Sequence, residues 1–177
     1  DLPNETAYAE TCAAIGLVFW SSRMLQLTAD SGYADVMERA LYNGVLSGVS
    51  LDGKRYFYPN PLVSRGSVER SEWFACACCP PNVMRTLSSV HNYFATTTES
   101  GLQIHLYDTA GIRASIAGAG DVALAMTTTY PWEPSVRITV ETPGRGEWTL
   151  ALRIPGWCKG ARAHINGGKT VAGKPGS

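Results

Sequence analysis

The chain has 177 residues, of which 45% are hydrophobic, so it is long enough to bury one or two apolar cores. Basic and acidic residues number 15 each, which leaves no net charge and no basic surface that would attract nucleic acid. The longest apolar run, residues 13–20, is too short to span a bilayer. The composition therefore predicts a globular protein that binds neither nucleic acid nor membranes.

Helical periodicity dominates the first half of the chain. Apolar residues recur with a 3.6-residue period over 13–30, 33–46 and 80–96, which predicts three helices. Proline is favoured in the first turn of a helix, so Pro80 suits the start of the third. On the second helix the apolar positions form one face, and Glu38 is expected on the opposite, outward face.

Turn residues separate the second and third helices. Asp52 and Gly53 lie between residues that favour strands, which is a good signal for a tight hairpin.

Beyond Gly101 the apolar period falls to two. Alternating runs at 102–106, 122–126, 136–140 and 148–154 are separated by glycine, proline and aspartate, as in antiparallel strands with one buried face. Asn166 precedes two glycines and predicts a further turn. His105 and His164 lie within strand patterns and are expected to face solvent.

The five cysteines are an odd and crowded set. Such a set fits metal binding or thiol chemistry in a reducing compartment better than a secreted disulfide framework, so we expect a cytoplasmic protein. Residues 76–82 read CACCPPN, which places Cys78 and Cys79 directly before the third helix. The positive end of a helix dipole favours a thiolate over a thiol at that position.

Glu10 and Cys12 occupy alternate positions before the first helix, so in an extended stretch both side chains would project to one side. Together with Cys78 and Cys79 they could form a tetrahedral set, and three sulfurs select zinc over calcium or magnesium. Cysteines are also often simply small buried apolar residues. The spacing alone does not decide between these interpretations, because it is not one of the standard paired zinc-ligand spacings.

Four separated segments carry a family resemblance. They are residues 1–13 (DLPNETAYAETCA), 33–43 (YADVMERALYN), 78–82 (CCPPN) and 153–157 (RIPGW). In this order they resemble glycoside hydrolase family 127, which contains the retaining β-L-arabinofuranosidases. The resemblance implies an α+β multidomain fragment.

In that reading, residues 1–100 form the latter part of an (α/α)6-barrel catalytic domain with a zinc-thiolate site. Residues 101–177 form part of an antiparallel β-sandwich.

By the same resemblance, Glu10, Cys12, Cys78 and Cys79 match the family's zinc ligands, and Cys78 matches its nucleophile. A thiolate at this position would form a thioglycosyl intermediate with an arabinofuranoside-type substrate. The family's acid/base glutamate would precede residue 1. The chain is therefore expected to be an inactive internal fragment, and an incomplete barrel would expose core surface and favour self-association into a homo-oligomer.

Two other functions remain open at this stage. A closed four-ligand zinc site could only stabilise the fold of a binding or assembly module. Alternatively, Trp132 and Trp157 could belong to a carbohydrate-binding β-sandwich without catalysis.

Overall fold

The structure is a computed structural model that describes residues 3–177. The first two residues of the segment 1–13 therefore lie outside the described part of the chain. The polypeptide divides into two compact units, the first ending at Val90 and the second running from His91 to Ser177. Among the described helices, none has the length and apolar character needed to cross a membrane.

Three α-helices form the first unit. They are α1 (Thr11–Thr28), α2 (Ser31–Ala40) and α3 (Cys79–Ser88), and a π-helical turn (Leu41–Val45) and a 3₁₀ turn (Leu46–Gly48) follow α2. Ala29 adopts a left-handed conformation and ends α1, and its N–H donates to the Leu25 carbonyl at 2.8 Å. Asp30 then begins α2, because its side chain accepts a hydrogen bond of 2.8 Å from the Gly32 N–H.

The outward placement of Glu38 is wrong, since this side chain is only 6% exposed. The other buried residues of α2 are Ala34 and Met37, which precede Glu38 by four residues and one residue. Glu38 therefore lies on the buried face of the helix. Val36, which the apolar pattern would bury, is instead exposed. Met37, Leu41 and Val45 are buried as the apolar pattern predicted, so the prediction is wrong at Glu38 and Val36 but not for the face as a whole.

The third helix is shorter than its periodicity indicated. It ends at Ser88, and a 3₁₀ turn (Val90–Tyr93) and a strand, β1 (Ala95–Thr98), occupy the remainder of the expected span. The Ser89 hydroxyl donates to the carbonyls of Arg85 and Thr86 at 2.9 and 3.2 Å, which satisfies acceptors at the helix end. The threonines of β1 are β-branched and favour a strand.

The turn at Asp52 and Gly53 is confirmed, but it does not connect regular strands. Gly53 has a φ of 71°, and its N–H donates to the Ser50 carbonyl at 2.8 Å. Isolated bridges join Tyr56 to Val49 and to Ser71. This region is therefore a hydrogen-bonded loop.

Small sheets form the second unit. The remaining strands are β2 (Gly101–Ile104), β3 (Ala110–Ile116), β4 (Gly120–Thr128), β5 (Val136–Thr142), β6 (Thr149–Leu152), β7 (Arg162–Ile165) and β8 (Lys169–Ala172). They are arranged in the orders β1-β2-β6, β3-β4-β5 and β7-β8. The turn at Asn166 connects β7 to β8, with Asn166 at a φ of 51°.

The strand pairs are antiparallel as expected, except that β2 and β6 run parallel. Gly101 pairs with Thr149 in this parallel register. A Cβ at Gly101 would lie 2.1 Å from the Thr149 carbonyl oxygen, so the close approach of the two strands requires glycine.

An apolar cluster fills the second unit. It consists of Leu102, Ile104, Tyr107, Ile116, Ala119, Val122, Leu124 and Met126. Strand β3 alternates partly buried and exposed residues and ends at the buried Ile116, as expected for a sheet with one covered face. The period-two runs identified five of these eight residues, and Tyr107, Ile116 and Ala119 lie outside the runs.

The solvent-facing position expected for His105 is wrong, whereas His164 is exposed as expected. His105 is 6% exposed, and its Nε2 lies 2.7 Å from the Thr96 hydroxyl. Burial, together with the positive charge of Arg153, lowers the pKa of His105 to about 4. The imidazole is therefore neutral within the fold near pH 7.

Candidate metal centre

Glu10 and Cys12 reach the site from the beginning of α1. Glu10 precedes the helix with an extended backbone, and an isolated bridge joins it to Pro59. Cys12 lies within the helix, so the expectation of a continuous extended stretch is wrong. The Thr11 hydroxyl donates to the Phe57 carbonyl at 2.7 Å, which fixes the start of the helix against the loop.

Cys78 and Cys79 reach the site from the beginning of α3. Cys78 is the residue immediately before the helix, and Cys79 is its first residue, followed by Pro80 and Pro81. Cys79 is completely buried, whereas Cys78 is partly exposed. The adjacent thiols therefore have different access to solvent.

The structure brings together all four residues that the sequence singled out. The donor atoms of Glu10, Cys12, Cys78 and Cys79 all lie within 4.8 Å of one another. The Cys78 sulfur lies 3.8 Å from the Cys79 sulfur, and both sulfurs lie 3.8 Å from Glu10 Oε1. The Cys12 and Cys79 sulfurs are closer, at 3.2 Å.

These distances can be compared with the edges of a zinc coordination tetrahedron. With Zn–S bonds of about 2.3 Å, two thiolate sulfurs on one tetrahedral zinc ion lie about 3.8 Å apart. The Cys78–Cys79 separation equals this value. Three sulfurs and one carboxylate also match the donor types that zinc prefers, so the group fits this ion in size and chemistry.

The electrostatics of the group distinguish Cys78 from the other thiols. Burial alone would raise the pKa of Cys78, but hydrogen bonds with neighbouring side chains outweigh it and hold the pKa below its ordinary value. These neighbours are Cys12, Cys79, Tyr58 and Cys76. Burial raises the pKa of Cys12 and of Cys79, so the negative charge resides preferentially on Cys78.

Two further side chains surround the donor group, and sequence reasoning assigned neither of them a role in it. The Tyr58 hydroxyl hydrogen-bonds to Tyr8 and Cys78, and these interactions raise the pKa of Tyr58. Asn82 donates from Nδ2 to the Cys12 sulfur at 3.0 Å. Asn82 is the last residue of the CCPPN motif, so its position next to the cysteines was a signal that it lies near the site. The sequence did not reveal that its partner is Cys12.

The two remaining cysteines lie outside the four-donor group. Cys76 is exposed and hydrogen-bonds to Cys78. Cys158 lies in the second unit.

Two protein-family models match this chain. The family model described as the "Beta-L-arabinofuranosidase, GH127 catalytic domain" matches residues 1–92, and the GH127 middle-domain model matches residues 101–177. The chain belongs to glycoside hydrolase family 127. The recognition of this family from four short motifs is thereby confirmed.

Individual relatives agree with this assignment. The chain is 35% identical, over 98% of its length, to a non-reducing end β-L-arabinofuranosidase from Bifidobacterium longum subsp. longum, of which it covers 28%. It is similar to the crystal structure of a GH127 β-L-arabinofuranosidase from Geobacillus stearothermophilus T6, with 52% identity and a TM-score of 0.89. That match covers 97% of this chain and 28% of the other.

A GH127 β-arabinofuranosidase structure matches with 44% identity and a TM-score of 0.83, covering 89% of this chain and 24% of its own. The chain thus spans about a quarter of the length of these relatives. The mixed α+β class with small antiparallel sheets is confirmed by this likeness.

Proposed function

We propose that this chain carries the nucleophile and the metal ligands of a zinc-dependent, retaining glycoside hydrolase that acts on β-L-arabinofuranosides. The observation that supports this proposal most strongly is the convergence of one carboxylate and three thiols within 4.8 Å. The relatives named as β-L-arabinofuranosidases supply the substrate class. Within the proposal, α1–α3 belong to an (α/α)6 barrel and the sheets to a β-sandwich, with the boundary near residue 100.

Glu10, Cys12, Cys78 and Cys79 are the residues that would hold the zinc ion. Zinc held by these residues would keep the coordinated sulfurs ionised at neutral pH, and three thiolates with one carboxylate are donors that this ion accepts. Cys79 is buried and suits the role of a fixed ligand. The partly exposed Cys78 has the access that a nucleophile needs.

In the proposed reaction, the Cys78 sulfur attacks the anomeric carbon of the arabinofuranoside. The S–C bond forms as the glycosidic C–O bond breaks, and a carboxylic acid outside the four-donor group gives its proton to the departing oxygen. The resulting carboxylate then takes a proton from water, whose oxygen displaces the Cys78 sulfur from the same carbon. Two displacements at one carbon retain its configuration.

The metal part of the proposal is tested by elemental mass spectrometry of the purified chain. We expect one zinc per chain in the wild type and less in Glu10→Ala, Cys12→Ala, Cys78→Ala and Cys79→Ala. Cys158→Ala is the matched control, since this cysteine lies outside the donor group, and it is expected to retain the metal. A folded, reduced wild type without zinc in zinc-containing buffer would contradict the proposal.

The catalytic part is tested by assaying hydrolysis of an aryl β-L-arabinofuranoside. The protein assayed contains this sequence and is as long as the relatives. We expect Cys78→Ala to abolish hydrolysis and Cys158→Ala to preserve it. Alkylation with iodoacetamide separates catalysis from a purely structural zinc site. A catalytic Cys78 is modified in the zinc-bound protein and its modification stops turnover, whereas complete inertness of Cys78 would favour the structural role.

A further inference from the structure

The side chain of Asn82, on α3, contacts Cys12, which is the member of the donor group that lies on α1. Its Nδ2 donates to the Cys12 sulfur at 3.0 Å, and its Oδ1 accepts a hydrogen bond of 2.5 Å from Arg85 Nη2. Asn82 and Arg85 are three residues apart on α3 and therefore lie on the same side of the helix. The three residues form a chain of hydrogen bonds that ends at the sulfur of Cys12.

The chemistry of the partners determines the orientation of the Asn82 amide. A guanidinium group has only donors, so Arg85 can bind only the carbonyl end of this amide. The NH₂ end is then directed toward Cys12, and a thiolate can only accept a hydrogen bond. Rotating the amide by half a turn would replace both attractive contacts with repulsive ones.

The charge of the donor group explains why such a contact is needed. Three thiolates and one carboxylate carry four negative charges, and a zinc ion compensates for only two of them. The Asn82 N–H and the positive charge of Arg85, transmitted through the amide dipole, oppose the excess charge at Cys12. This contact also joins residues 70 positions apart in the sequence, since Cys12 lies on α1 and Asn82 on α3.

We propose that Asn82, held in orientation by Arg85, is a positioning residue that directs the Cys12 sulfur toward the zinc ion and stabilises it as a ligand. The inference rests on the proposed zinc-dependent function, but it concerns residues outside the four-ligand set. Hydrogen-bond partners of metal ligands typically contribute about 10- to 100-fold to metal affinity. Removing the Asn82 donor is therefore expected to weaken zinc binding within this range.

The experiment measures the zinc affinity of the complete 177-residue chain by competition with a chromogenic chelator at pH 7.5. Asn82→Asp places a carboxylate oxygen where the NH₂ group faces Cys12, and Arg85 remains available to hold that carboxylate. We expect the zinc Kd to rise about 10- to 100-fold. Asn92→Asp is the control, since it introduces the same charge change at an exposed asparagine.

Arg85→Gln is the second variant, and it keeps the inference testable if Asn82→Asp does not fold. Arg85 is exposed, so its replacement is expected to leave the metal-free Tm unchanged while the zinc Kd rises several-fold. A positioning role predicts weaker zinc binding without a loss of metal-free stability, whereas a purely structural role predicts the reverse. The charge-transfer absorption of the cobalt-substituted protein reports independently on the Cys12–metal bond.

The outcomes distinguish this inference from the function on which it rests. A wild type that binds no zinc overturns both. A wild type that binds one zinc ion, with an unchanged Kd in Asn82→Asp and Arg85→Gln, overturns the positioning role and leaves the proposed function intact. Weaker binding in both variants, with the control unchanged, supports the inference.

Discussion

The helical unit and the sheet-forming unit both bury apolar side chains, such as Val18 and Leu124, but the candidate metal ligands lie in the helical unit. In the helical unit, the beginnings of α1 and α3 bring four potential metal ligands together, and polar contacts to the intervening loop hold α1 in place. The sheet-forming unit instead encloses a contiguous cluster of apolar side chains, with Leu124 only 1% exposed. We expect the proposed zinc ligation to add to apolar burial in stabilising the first unit, whereas apolar burial dominates in the second.

Exposed apolar residues sharpen this contrast. In the helical unit, Leu27 and Trp20 on α1 are 80% and 53% exposed, although residues of the same helix such as Val18 are completely buried. Most of the large apolar residues that are exposed in the described chain belong to this unit. Its helices therefore bury only part of their apolar surface.

Removal of a ligand is expected to have one of the two largest effects. At a free zinc concentration about 1,000 times the Kd, binding stabilises the folded chain by about 4 kcal/mol. Cys79→Ser is expected to lose most of this zinc-dependent stabilisation, and Cys158→Ser to keep it. Thermal unfolding followed by helical circular dichroism, with and without zinc, measures the difference, and an equal response of the two variants would contradict the contrast between the units.

An effect of similar size is expected from a core leucine. Leu124→Ala removes a buried side chain from the apolar cluster and is expected to lower the free energy of unfolding by about 2.7–5 kcal/mol. Leu27→Ala makes the same chemical change at an exposed position and is expected to stay within about 0.5 kcal/mol of the wild type. Urea unfolding of both variants, without metal, measures these values, and similar losses would show that burial does not separate the two positions.

The smallest of the three effects concerns pH and the buried His105. Its pKa is lowered to about 4 in the fold, mainly by burial, whereas the unfolded chain binds a proton near pH 6.5. The stability contributed by the neutral imidazole is therefore complete above pH 6.5 and is lost as the pH falls toward 4, amounting to at most about 3 kcal/mol.

His105→Gln removes this titration and can still hydrogen-bond to Thr96. Urea unfolding at pH 7 and pH 4.5 is expected to show a smaller pH dependence in the variant than in the wild type. If the free energy of unfolding changes by the same amount between the two pH values in the variant and the wild type, His105 does not contribute to the pH dependence.

Local sequence patterns predicted the features that depend on neighbouring residues. The turns at Gly53 and Asn166 were predicted because their backbones require conformations that glycine and asparagine adopt readily. Strands β2, β4, β5 and β6 were predicted from their apolar alternation, whereas β3 was not. The motifs also identified the family and singled out Glu10 and the three cysteines that approach it.

Features that depend on distant residues were predicted less well. The third helix ends early because Ser89 satisfies its last carbonyls and because β1 pairs with β2, a choice that the apolar period could not reveal. Glu38 and His105 were assigned to solvent on the basis of their polarity, but packing buries both. A polar residue whose burial depends on partners elsewhere in the chain carries little local signal.

The sequence by itself determined the change from helices to strands near residue 100, the turn positions and the residue types available to bind a soft metal, since these follow from backbone preferences, side-chain period and donor chemistry. Only the tertiary structure decided that Cys12 and Cys79, 67 residues apart, have sulfurs 3.2 Å from each other, and that Asn82 faces Cys12. Such distances depend on how α1 packs against α3, because backbone preferences specify the helices but not the side chains that meet between them.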